Sequence, residues 1–199
     1  MILFEKSIGD KSIVIKSEKE LHMQVENVFL ILSKLENEKL IDDFSIQIGW
    51  SVFFLSKRND KYYMLAPDYN KNPFKDTTDD LTLALWVQLE QVHCLRKLDI
   101  NGETIKFSDK VVIAKNILQV DNIYLQRTSD CEEGDSGWYI GPVNESDDTD
   151  DLEAFYAYQL LKIRPSLIQT LALPYEYMVI FEKDEIKAVL NENDEDIWN

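Results

Sequence analysis

A chain of 199 residues with 37 acidic against 21 basic side chains carries a formal net charge of −16, so its field repels nucleic-acid phosphates and anionic lipid and favours basic partners and cations. A hydrophobic share of 45% with 6 Gly and 5 Pro excludes a disordered or fibrous chain, and the length suffices for one large domain or two small ones. Two cysteines, Cys94 and Cys131, without CxxC spacing, exclude a disulfide scaffold and fit a reduced compartment.

The opening stretch MILFEKSIGDK sets four apolar residues before its first charges, which is not a signal-peptide pattern, and no apolar run approaches the roughly 20 residues that span a bilayer. A cytoplasmic protein with no membrane partner is expected. Residues 2–8 and 12–15 flank Gly9-Asp10 and read as a hairpin. Ser17-Glu18-Lys19-Glu20 has the spacing of a capping box, and Leu21, Val25, Val28, Phe29, Leu32 and Leu35 continue as the apolar stripe of a helix over 17–38. Residues 44–55 (FSIQIGWSVFFL) read as a strand that pairs with residues 61–66 across the Arg58-Asn59-Asp60 turn. A loop follows at 67–75. Leu81, Leu85, Leu89, Val92, Leu95 and Leu98 then give a helix over 80–98, with N-caps on offer from Thr77 to Asp80.

Past the Asn101-Gly102 turn the texture changes. Residues 104–107, 110–114, 122–126 and 138–143 read as strands, 150–163 as a helix, and Pro165 as the first residue of a short helix over 165–171. Residues 177–181 and 185–190 flank a Lys183-Asp184 turn, and the acidic tail 191–199 is expected to fray. The sum is an α+β protein: antiparallel sheets with about four helices packed on them, as two lobes or one unit. Asn101-Gly102 marks the best boundary, between an N-terminal region 1–101 of unknown role and a C-terminal region 102–199.

Catalytic motifs fail on inspection. Gly134-Asp135-Ser136-Gly137 resembles the nucleophile motif of trypsin-like serine proteases, and His93-Cys94 their base. The 43-residue separation cannot build the intervening barrel, and His93 falls on a helix. His22 and His93 lack a second His at i+3 or i+4, so no zinc site is expected. Asp147-Asp148-Thr149-Asp150-Asp151 lacks the central Gly of a calcium loop. No GK[ST] phosphate loop and no basic patch with interleaved aromatics is present, so neither a cofactor nor nucleic acid is expected.

One constellation stands out. From Thr128 to Leu161 there are ten carboxylates and no Lys or Arg: Asp130, Glu132, Glu133, Asp135, Glu145, Asp147, Asp148, Asp150, Asp151 and Glu153. Three readings stay open: a solvated loop whose acids suit a helix N-terminus, a face that binds a basic protein, and a metal or catalytic role. Trp138, Tyr139 and Tyr156 could supply anchors beside it, although one of the strand neighbours Trp138 and Tyr139 must turn inward. Within Asp135-Ser136-Gly137-Trp138 the short polar side chains suit local backbone bonds, the Gly a tight approach and the Trp a core position.

A family resemblance rests on Val112-Ile113-Ala114-Lys115, on Ile123 to Arg127, on Asp135-Ser136-Gly137-Trp138 with Gly141, and on Arg164-Pro165, Leu171 and Pro174 before an apolar strand. Residues 111–182 are similar to the immunity proteins of bacterial polymorphic toxin systems that carry a DSGW signature. The chain departs from that pattern after Pro174, where Tyr175-Glu176-Tyr177 stands in place of a nearby Gly. The resemblance implies a non-enzymatic protein that neutralises a cognate toxin by binding it, here a basic toxin met by the acidic segment. The alternatives are an enzyme with a carboxylate-lined cleft between lobes, using Glu133 and Asp135, and a ligand-binding accessory domain.

Overall fold

The computed structural model describes residues 1–144 and 151–198. The fold is α+β with two six-stranded sheets, and the chain divides into two compact units, Met1–Leu89 and Glu90–Asn199. Among the described residues, no helix is long and apolar enough to cross a membrane.

In the first unit, β1 (Ile2–Ile8) and β2 (Lys11–Ser17) form the expected hairpin, with Ile8 opposite Lys11. Helix α1 (His22–Ser33) follows a 3-10 turn at Lys19–Leu21 and buries Val25, Val28, Phe29 and Leu32, the stripe that the spacing predicts. The expected capping box is absent. Ser17 donates instead to the Glu18 carbonyl, and the Glu18 N–H is taken by Thr82 Oγ1 at 3.1 Å. Residues 44–55 are not one strand but two, β3 (Ser45–Ile48) and β4 (Ser51–Arg58), joined by the two-residue turn Gly49-Trp50. The turn is hard to read because Trp50 is a core residue: it is fully buried, stacks on Tyr69 at 4.8 Å and donates its indole N–H to the Ala84 carbonyl at 3.4 Å.

Strand β5 (Lys61–Pro67) pairs with β4 as anticipated, runs parallel to β2 and takes the short β6 (Thr77–Thr78) at its far end. The sheet order is β1-β2-β5-β4-β3. Helix α2 (Thr82–Leu98) starts where the Asp80 carboxylate accepts the Thr82 N–H at 3.1 Å, which satisfies one of the amides left orphaned at a helix start.

The second unit is built on β7 (Lys110–Ala114), β8 (Asn122–Arg127), β9 (Asp135–Pro142), β10 (Leu152–Tyr156), β11 (Met178–Glu182) and β12 (Glu185–Leu190), in the order β10-β7-β9-β8-β11-β12. All pairs are antiparallel except β7 with β9. The register lines side chains into rows that cross the whole sheet. Glu153, Ile113, Ile140, Leu125, Val179 and Val189 stand opposite one another, and all but the edge residue Glu153 are fully buried. At roughly 1.5–3 kcal/mol for each buried aliphatic side chain, this row and the buried Leu160, Leu167, Ile168 and Leu171 supply much of the drive to fold.

Two sequence expectations fail here. Residues 104–107 are not a strand: Ile105 and Phe107 turn inward as a strand pattern would, but the segment is held by single bonds, from the Glu103 N–H to the Ala172 carbonyl and from the Tyr158 N–H to the Phe107 carbonyl. Residues 150–163 are not one helix. Leu152–Tyr156 is the edge strand β10, and only Ala157–Gln159 (3-10) and α3 (Leu160–Ile163) are helical. Leu152, Phe155 and Tyr156 fit either period, and pairing with β7 decides for the strand. The short helix after Arg164 is a 3-10 helix, Pro165–Thr170, with Pro165 in its first turn.

The tail is not frayed through Trp198. Ile197 donates to the Val189 carbonyl at 2.8 Å, Asp196 accepts the Val189 N–H at 3.2 Å, and the Lys97 ammonium sits 3.2 Å from the centre of the Trp198 ring. These bonds cover the outer edge of β12.

Candidate functional site

Alternation along the strands of the second unit gives its sheet a second face. Ala154, Val112, Tyr139, Gln126, Met178 and Leu190 form one continuous row across all six strands, one residue from each. Beside it run Gly141, Tyr124, Ile180 and Ala188. Most of these are half-buried, in contrast to the sealed row on the core face, and Ala154 is exposed.

Gly141 shapes this face. A Cβ there would lie 2.6 Å from the Tyr139 ring and 3.0 Å from that of Tyr124, so only a glycine lets both rings lie over the strand. The rings meet at 5.8 Å with a tilt of 59°, within the range for a favourable aromatic pair. At the open edge, β10 adds Leu152, 57% exposed, and Tyr156, 37% exposed and stacked on Tyr158. Where β10 meets β7, a hollow of about 160 Å³ is lined by Ile113, Leu118, Phe155, Ile163 and the edge residue Glu153.

The acidic segment is not one patch. Asp135 stands opposite Lys110, the first residue of β7, whereas the Asp151 carbonyl accepts the N–H of Lys115, just past its last. At about 3.3 Å per residue, the two acidic stretches are separated by roughly 16 Å along the strand. Asp130, Glu132 and Glu133 lie exposed in the loop before β9, at one end of the sheet. Glu176 joins them: its carboxylate accepts from the N–H and the hydroxyl of Ser129, at 3.1 and 2.9 Å. The sequence hides this member because it lies far downstream of the cluster. At the other end, exposed Asp151 pairs with Lys115 at 3.4 Å, and Glu153 is exposed on β10. Glu145, Asp147, Asp148 and Asp150 lie outside the described residues.

Asp135-Ser136-Gly137-Trp138 is a local brace. Asp135 accepts the Gly137 N–H at 2.9 Å; Ser136 is buried, donates to the Lys110 carbonyl at 2.6 Å and accepts the Trp138 N–H at 3.1 Å. Gly137 has φ +76°, and a Cβ there would overlap the Thr128 carbonyl oxygen, so the loop closes only around a glycine. Trp138 is fully buried and donates its indole N–H to the Leu171 carbonyl at 2.9 Å, so Tyr139, not Trp138, is the half-exposed member of the pair.

Arg127 lies behind the brace. It is fully buried, and its guanidinium donates to the carbonyls of Ser136 and Glu103 at 3.0 Å each and to that of Leu173, the residue before Pro174. It lies over the Tyr175 ring, at 4.4 Å, and over the Trp138 ring, at 5.8 Å. Burial holds its pKa below the usual guanidinium value. The sequence shows this Arg in a motif but carries no signal that one guanidinium ties together β9 and the 103 and 173 loops. Arg164 does similar work elsewhere, donating to the Val120 and Lys183 carbonyls.

Both cysteines are free. Cys94 is buried, which pushes its thiol up to about 11 and keeps it protonated at neutral pH. His22 and His93 are exposed. Among the described residues, no group of three or more His, Cys, Asp or Glu is placed to hold a metal ion.

The model of the Imm33-like domain matches residues 90–198, more than half of the chain. The chain belongs to the Imm33-like domain family. This is an immunity-protein-like family, and the Imm33-like match coincides with the second compact unit, Glu90–Asn199. It takes in the brace, the aromatic face and both acidic ends, and leaves Met1–Leu89 outside. No curated protein and no solved structure matches the chain.

Proposed function

We propose that this chain is a cytoplasmic immunity protein that neutralises a bacterial toxin by binding it, without chemistry of its own. The observation that carries this reading is the coincidence of the Imm33-like match with a unit whose sheet presents half-exposed aromatics between two acidic ends. In this reading the toxin is basic. The carboxylates at both ends steer it, while Tyr139, Tyr124 and the β10 residues Leu152 and Tyr156 set how long it stays. Aromatic anchors with few rotatable bonds suit that task, since little side-chain freedom is lost when they are covered.

Because the acidic ends are separate, they can be tested separately. One variant carries Asp130→Asn, Glu132→Gln and Glu133→Gln; another carries Asp147→Asn, Asp148→Asn, Asp150→Asn and Asp151→Asn. Asp135 is left intact, since it braces Gly137. Surface plasmon resonance against the partner captured by a pull-down with this chain as bait should show association slowing as salt rises. At least one variant should associate roughly tenfold more slowly at low salt, with its dissociation rate little changed. Wild-type association by both variants at low salt would reduce the acidic segment to a solvated surface.

A further inference from the structure

The first unit, outside the Imm33-like match, holds a cleft of about 590 Å³ among the end of β5 with the loop after it, the 3-10 turn before α1 and the first turns of α2. That volume lies within the range of pockets that enclose small ligands. Its apolar walls include Leu21, Pro67, Leu83, Trp86 and Leu89. The wall is rigid at Tyr69, which is buried, stacked on Trp50 at 4.8 Å and hydrogen-bonded to Ser51 Oγ at 2.7 Å.

All charges lining the cleft have one sign. They are Glu18, Glu20, Asp68 and Asp80, and no Lys, Arg or His lines it. Asp68 is nearly buried; it accepts the Asn70 N–H at 3.1 Å and pairs with Lys71, whose side chain is largely exposed. Asp80 is committed to the start of α2. Glu18 and Glu20 have no ion-pair partner among the described residues. Carboxylates at the mouth of a low-dielectric cleft concentrate cations there. A bare metal ion is the wrong occupant, because it needs several oxygens converging on one point, and no such group exists among the described residues. Apolar walls with an aromatic ring and an acidic mouth match an amphiphilic organic cation, whose body is covered by the walls while its charge meets the carboxylates and the indole.

We propose that the cleft binds a small organic cation, an ammonium or guanidinium group on an apolar body. The site is independent of toxin binding, and its test needs no toxin. Isothermal titration of the full chain would use 2-phenylethylamine as the cationic probe, 2-phenylethanol as its neutral counterpart and phenylacetate as the anion, all at one ionic strength. The cation should bind with a Kd of roughly 1 mM or tighter, and at least about tenfold more tightly than the neutral probe, with no binding of the anion. The double variant Glu18→Gln, Glu20→Gln, at exposed positions that leave the fold intact, should lose about tenfold in affinity for the cation with an unchanged unfolding midpoint. The proposal fails if the cation binds no better than the neutral probe, if none of the probes binds, or if the double variant binds the cation as the wild type does.

Discussion

Replacing Arg127 by Leu is expected to destabilise the Glu90–Asn199 unit by about 3 kcal/mol or more. Leucine keeps part of the packing against Tyr175 and Trp138 but strands the carbonyls of Ser136, Glu103 and Leu173, each costing roughly 1–3 kcal/mol when left without a donor. Relief from burying a cation offsets some of this loss, because the charge itself is costly to desolvate. Arg127→Lys should recover little, since a single ammonium cannot reproduce a planar fork that reaches three carbonyls and stacks on a ring. Urea unfolding followed by circular dichroism measures both. A Leu variant within about 0.5 kcal/mol of wild type would mean that the three carbonyls find other donors at no cost.

Trp138→Ala should cost about 3–5 kcal/mol, the range for emptying a large aromatic site in a core that relaxes only in part. Two contributions can be separated. Trp138→Phe retains most of the apolar volume but removes the indole N–H that reaches the Leu171 carbonyl, and should cost roughly 1–3 kcal/mol. If both variants unfold at the wild-type midpoint, Trp138 does not pin the strand. If Phe is as costly as Ala, the hydrogen bond outweighs the packing.

What the sequence makes legible is local. The β1–β2 hairpin, the apolar stripe of α1, the course of α2 and the Lys183-Asp184 turn follow from period and turn chemistry, because their side chains meet neighbours a few residues away. The role of Asp135 and Ser136 is legible for the same reason: both bond amides two residues on. Positions 152–156 resist, since a five-residue stretch with four apolar or aromatic members fits a strand and a helix equally and only β7 decides. The segment 104–107 shows the converse, a strand pattern without a strand partner.

The candidate face is the least legible feature. Its central row takes one residue from each of six strands, so no window of sequence contains it. The acidic run misleads in the opposite way. Asp135 and Asp151, both in the acidic run, stand at opposite ends of β7 after the eight residues of β9, whereas Glu176 is brought against Ser129, beside Asp130, from far along the chain. The guanidinium of Arg127 is invisible for a similar reason, since its acceptors are main-chain carbonyls that could belong to any residue.

The most direct test of toxin neutralisation through this face is survival of cells that express a toxin captured with this chain in a pull-down, together with the chain or its Tyr124→Glu, Tyr139→Glu variant. Both substitutions fall at half-exposed positions away from the core row, and circular dichroism establishes that the variant is folded. The wild-type chain should restore growth and the folded variant should not, because two new charges at the centre of the interface oppose its desolvation. Growth restored equally by both proteins would move the binding surface elsewhere, and growth restored by neither would contradict the proposed function.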